Sequence, residues 1–75
     1  MARGFNGARL RELRENAGLT QTDLAKKVRV KSSNVSRWEA GGQSPRPRKI
    51  KALSVVLKVK IEELLVVEEP VLETK

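Results

Sequence analysis

Residues 20–41 read TQTDLAKKVRVKSSNVSRWEAG, and two helical patterns lie back to back within these 22 residues. Thr20 opens the first, and Asp23 three positions later completes a Thr-x-x-Asp capping box. Leu24, Ala25 and Val28 follow at helical spacing, predicting a helix over 21–28 with one buried side. Ala25 is small where a second helix must approach closely. The second pattern predicts a helix over 32–40, with Val35 and Trp38 turned inward and Gly41 closing it. Trp38 is the only tryptophan in the chain. In a basic protein it could stack on a base, but its spacing of three from Val35 favours the core.

The face opposite Val35 and Trp38 carries Ser32, Ser33, Ser36 and Arg37, with Asn34 on its flank. Serine hydroxyls donate to or accept from any base edge and so discriminate weakly. Arg37 can fork onto the O6 and N7 acceptors of guanine, worth about 1–3 kcal/mol of discrimination, and it suits a backbone phosphate equally well. Ser32 and Ser33 are also candidates for the helix cap. Around this face stand candidate phosphate ligands. Thr20 and Gln21 lie at a helix N-terminus, where free N–H groups and the dipole favour an anion. Lys31 precedes the second helix. Arg46, Arg48 and Lys49 follow the loop after it, and an arginine there could reach a narrow minor groove.

Three further helices are expected around this pair, giving an all-α, five-helix domain over residues 1–66. Asn6 caps a helix over 7–17 with Leu10, Leu13 and Ala17 inward, and Gly18 supplies the left-handed position beyond it. Residues 41–47, GGQSPRP, form a loop, and Pro47 suits the first turn of a helix over 47–57. Its core face is Ile50, Leu53, Val56 and Leu57. A short last helix is expected over 61–66, with Ile61, Leu64 and Leu65 inward. No segment reads as a convincing strand. Residues 67–75, VEEPVLETK, are expected to be frayed or engaged with a partner.

Charge is distributed unevenly over the 75 residues: residues 1–49 hold 12 Lys/Arg against 4 Asp/Glu, a net +8, whereas residues 50–75 hold 4 against 5. The basic part coincides with the helix pair, which points to a polyanion, nucleic acid before an anionic membrane. The chain has no cysteine and no histidine, so it offers no disulfide, no thiol nucleophile and no imidazole base or metal ligand. Glu12, Glu15, Glu62 and Glu63 sit among basic neighbours and read as solvated ion pairs. No apolar run approaches the roughly 20 residues needed to span a bilayer, and MARGFNGARLRE lacks the apolar centre of a signal peptide. The expectation is a cytoplasmic non-enzyme with no metal, no cofactor and no small-molecule substrate.

The stretch from Arg9 to Leu65, about three quarters of the chain, resembles the phage repressor/Cro-type helix-turn-helix family. The likeness rests on RLRELRENAGLTQTDLA, on VSRWEAG, on Pro45 and on the ending LSVVLKVKIEELL. The resemblance implies a five-helix DNA-binding domain whose third helix enters the major groove. It implies that Gln21 contacts a phosphate and that Ser32, Ser33, Ser36 and Arg37 read bases. It also pairs Arg14 with Glu39 as a salt bridge joining the first and third helices. Arg29 stands where the family usually has glycine; a left-handed backbone there would cost a non-glycine residue about 1–2 kcal/mol. Lys31 replaces a small polar cap common in the family, and Ala40 replaces a residue that in some members is a polar phosphate ligand.

These readings lead to a sequence-specific regulator of transcription, a repressor in the first instance. It would bind a pseudo-palindromic operator as a homodimer, with recognition helices about 34 Å apart. The dimer surface is expected between the fourth and fifth helices and along Val66, Val67, Val71 and Leu72. Similar folds also serve as antitoxins or anti-repressors whose main partner is another protein. The acidic, proline-containing tail within residues 58–75 keeps that alternative open.

Overall fold

Short-range hydrogen bonds set the helix ends. The structure is a computed structural model that describes residues 3–67. Its elements are β1 (Arg3–Phe5), α1 (Gly7–Asn16), α2 (Gln21–Val28), α3 (Ser32–Ala40), α4 (Pro47–Leu57), a 3-10 turn (Ile61–Leu64) and β2 (Leu65–Val67). Asn6 has an extended backbone, and its side-chain oxygen accepts the Arg9 N–H at 3.0 Å, capping α1. The capping box of α2 is complete. The Thr20 hydroxyl accepts the Asp23 N–H and the Asp23 carboxylate accepts the Thr20 N–H, both at 3.0 Å. Pro47 begins α4, where its missing N–H leaves no bond unmade.

The Thr20 N–H bond, with the Thr20 hydroxyl contact behind it, holds the Asp23 carboxyl below its ordinary pKa. A depressed carboxyl stabilises the fold above its unfolded pKa of about 3.9, and that contribution is lost as pH falls through the lower folded value. Comparing thermal melts between pH 2 and 6, Asp23→Asn should lose less stability on acidification than the parent. Parallel curves would rule out this role for Asp23.

Arg29 ends α2 in the left-handed region, at φ 61° and ψ 52°. Its N–H still donates to the Lys26 carbonyl at 3.3 Å, so the strain lies in the residue type and not in the turn. Arg29→Gly is therefore expected to raise stability by about 1 kcal/mol, read as a higher urea midpoint with an unchanged slope.

The core is one cluster drawn from every helix: Leu10 of α1, Leu24, Ala25 and Val28 of α2, Val35 and Trp38 of α3, and Leu53 of α4, closed by Leu64. Phe5, Leu13, Ile50, Val56 and Leu57 pack against it from the rim. Trp38 is 3% exposed, which places it in the core. Gly7 is buried where α1 meets the end of α3, and a Cβ there would lie 2.1 Å from the Trp38 carbonyl oxygen. The N-terminus of α1 thus abuts the carbonyl end of α3, an arrangement the two helix dipoles favour.

Several expectations are corrected. The last segment is not a fifth helix over 61–66 but one 3-10 turn followed by a strand. β2 pairs antiparallel with β1, Arg3 opposite Val67 and Phe5 opposite Leu65, so a two-stranded ribbon closes a domain that is helical in class, as expected. The β-branched Val66 and Val67 favour this extended backbone, and the partner strand comes from the far end of the sequence. Ile61 is consequently 38% exposed instead of inward. Ala17 lies past the end of α1 and is exposed, because that helix stops at Asn16. Neither Ser32 nor Ser33 caps α3; its N-cap is Lys31, with no side-chain cap bond. Val71 and Leu72 lie outside the described residues. Among the described residues no helix is long and apolar enough to cross a membrane.

Candidate nucleic-acid interface

Val35, fully buried, and Trp38 fix the rotation of α3 against the core. That rotation leaves Ser32, Ser33, Ser36 and Arg37 exposed together on the outer face, with Asn34 half-buried at its edge. The first N–H groups of α3 receive no side-chain cap, so its N-terminus offers donors as well as hydroxyls. Arg37 is exposed and has no ion-pair partner among the described residues. The face therefore combines adaptable hydroxyls with one guanidinium fork, the set that base edges and phosphates both accept.

Beneath this face runs a buried charged network. The Arg14 Nε–H donates to Glu39 Oε2 at 2.6 Å and its Nη2 to Oε1 at 3.2 Å. Its Nη1 donates to the Leu19 carbonyl at 2.8 Å. The two side chains are only 10% and 4% exposed, and the Glu39 bonds hold the Arg14 guanidinium above its already high pKa. The salt bridge implied by the resemblance is thus present, forked and nearly dry. A third member was not foreseen: the Gln21 Nε2 amide donates to Glu39 Oε1 at 3.0 Å. Gln21 opens α2, so the network ties the start of α2, the end of α1 and the last turn of α3 to one carboxylate.

The remaining cations take different positions. Thr20 is exposed, with its hydroxyl oxygen bonded to Asp23. Lys31, Arg46 and Arg48 are exposed. The Lys49 ammonium donates to the Val28 carbonyl at 2.8 Å, closing the carbonyl end of α2 and keeping two protons for another acceptor. Lys49, Arg46 and Asn34 line one cleft of about 340 Å³ between α3 and the start of α4, with Trp38 and Pro45 also in its wall. Surface ion pairs lie on α1 and the 3-10 turn: Arg9 with Glu12 at 2.7 Å and with Glu63 at 2.8 Å, and Arg11 with Glu15 at 3.1 Å. Such exposed pairs are screened by solvent and add little to stability.

Sequence reasoning missed the Gln21–Glu39 bond, the Lys49 cap and the packing role of Gly7. The first two had a usable signal. Gln21 and Glu39 lie on α2 and α3, the two helices whose close approach the small Ala25 already implied. The glycine gave none, because its importance lies in a backbone 31 residues away.

A capped helix, a tight left-handed turn and a second helix pinned by its core face, with hydroxyls and a guanidinium outward, define a helix-turn-helix protein. The match to the helix-turn-helix family extends over residues 10–64, and the chain belongs to that family, in its repressor/Cro-type branch. It is similar to the HTH-type transcriptional activator BcrR of Enterococcus faecalis, with 38% identity over 61 residues, 81% of this chain and 30% of that protein. It is also similar to the HTH-type transcriptional regulator DicA of Escherichia coli K12, with 41% identity over 51 residues, 68% of this chain and 38% of that protein. Among solved structures, the P22 c2 repressor in complex with a synthetic operator superposes with a TM-score of 0.72 at 30% identity, covering 75% of this chain and 85% of that one. The chain spans between 30% and 38% of the length of the two named regulators.

Proposed function

We propose that this chain is a non-enzymatic, sequence-specific binder of double-stranded DNA that regulates transcription in the cytoplasm, with α3 in the major groove. The observation that carries the reading is the exposed cluster Ser32, Ser33, Ser36 and Arg37 on a helix held rigidly by Val35 and Trp38. Arg37 reads a base, and Ser32, Ser33 and Ser36 supply adaptable bonds beside it. Gln21, with Thr20, Lys31, Arg46, Arg48 and Lys49 around it, grips the phosphates. Repression follows from occupancy wherever the operator overlaps a site that another protein must use. Homodimerisation would place two α3 helices on successive half-sites. The exposed apolar side chains Val55, Ile61 and Val66 support such a surface. Ile61 and Val66 also lie within residues 58–75, the segment on which a different protein partner would act as the second reading.

The test is selection of bound duplexes from a random pool, which reports the motif, its symmetry and its half-site spacing together. On the selected duplex, Arg37→Ala should lose about 1–3 kcal/mol and relax discrimination at particular base pairs. Gln21→Ala should weaken all sequences about equally. If both variants bind as tightly as the parent, α3 and the start of α2 are not the interface. Recovery of a stoichiometric protein partner with no duplex retained would favour the second reading.

A further inference from the structure

We propose that Glu39 is a positioning residue for the phosphate contact of Gln21, and that Arg14 makes this possible by cancelling the Glu39 charge. The inference rests on the DNA-binding reading above and goes beyond it, because Glu39 is buried and takes no direct part in binding.

The argument begins with the amide. A carboxylate can only accept hydrogen bonds, so the 3.0 Å contact from Gln21 Nε2 to Glu39 Oε1 fixes which end of the amide faces inward. Without that partner the amide could turn over and present its oxygen to a phosphate, which repels it. With it, one N–H is committed to Glu39, and the second has no acceptor among the described residues. That second N–H joins the backbone N–H groups of Gln21 and Thr22, the first of α2. The Asp23 carboxylate, the nearest acidic group in the turn, is folded back onto Thr20. Three donors thus belong to the first turn of α2, and Glu39 sets the orientation of the one that is a side chain.

A buried anion beside a phosphate site would normally repel the phosphate, all the more in a low-dielectric setting. Arg14 removes that obstacle. Its forked bond covers both Glu39 oxygens, and the side chains are 10% and 4% exposed, so the pair presents almost no net charge outward. What remains on Oε1 is acceptor capacity, used by Gln21. Because Glu39 stands in the last turn of α3, the same bond fixes the phosphate-gripping residue relative to the base-reading helix.

The test compares two neutral replacements of the pair, R14M/E39Q and R14M/E39M, each with and without Q21A, on the selected duplex. Glutamine at 39 keeps an amide oxygen able to accept from Gln21, whereas methionine offers no comparable acceptor; urea unfolding checks that both fold. In the glutamine background Q21A should weaken binding about tenfold, the size of one hydrogen bond to a charged group. The methionine background should already show that tenfold loss, and Q21A should add nothing to it. Equal affinity of the two double variants, or the same Q21A penalty in both, overturns the inference. A second measurement needs no folded variant. In ¹⁵N spectra of the wild-type protein, the outward Gln21 side-chain N–H should shift on adding duplex while its Glu39-bonded partner stays. Equal shifts of both protons, or none, also overturn it. If the wild type retains duplex but shows none of this, the DNA-binding reading stands and the positioning role of Glu39 fails. If it retains no duplex, both fail.

Discussion

Replacing Gly7 with alanine is expected to cost at least about 2 kcal/mol of folding stability. A Cβ at this position would stand 2.1 Å from the Trp38 carbonyl oxygen and 2.8 Å from that of Glu39, both backbone atoms. Neither can rotate away as a side chain tip would, so α1 and α3 must separate. That separation opens the core around Leu10 and pulls on the Arg14–Glu39 pair. Alanine recovers at most about 1 kcal/mol through its better helix propensity. For 75 residues the whole stability is about 4–11 kcal/mol, so the loss is a large share of it. Gly42→Ala is the control: a Cβ there meets nothing within 4 Å. Urea unfolding should separate the two clearly. A Gly7→Ala protein as stable as the parent would mean that the start of α1 is not pinned against the end of α3.

The second large effect is expected at Arg14. Arg14→Met keeps the length and apolar stem of the side chain but leaves the Glu39 carboxylate buried without its cation. Breaking a buried pair from one side costs about 3–5 kcal/mol, because the uncompensated charge remains. The bond from Arg14 to the Leu19 carbonyl is lost as well, loosening the turn that leads into α2. Glu39→Gln in the Arg14→Met background removes the stranded charge, so the double variant should recover most of the loss. Thermal melts of parent, single and double variants decide the point. A double variant no more stable than Arg14→Met alone would show that packing by the guanidinium, not charge pairing, is what the site supplies.

The pattern of what could be read from the sequence follows the range of the interactions. α2, α3 and α4 lie where the periodicity puts them, because the α2 capping box, the glycine closing α3 and the first-turn proline of α4 act within four residues. The left-handed Arg29 and the Arg14–Glu39 bridge were implied by the family's pattern, and both are present. The end of the chain was not legible in the same way. Ile61, Leu64 and Leu65 fit a helical spacing, but a three-residue strand and a single 3-10 turn satisfy it equally well over so short a run. What selects the strand is β1, and no window of neighbouring residues contains both. The outer face of α3 was legible as chemistry. The network beneath it is only half legible, since the sequence marks Gln21 as a phosphate contact and gives it no partner inside the protein, whereas the helix crossing places Glu39 next to it.

The β1–β2 ribbon has a consequence for the order in which the domain assembles. Each helix forms from contacts a few residues long, whereas Arg3 opposite Val67 and the Asn6 N–H on the Leu64 carbonyl at 2.8 Å join the two extremes of the described chain. Closing so long a loop costs conformational entropy before any contact rewards it. The ribbon therefore belongs to the last step of folding and the first of opening. The ribbon packs mainly on the 3-10 turn, whereas α2 and α3 pack on each other, so closure of the ribbon and the geometry of α3 rest on different contacts.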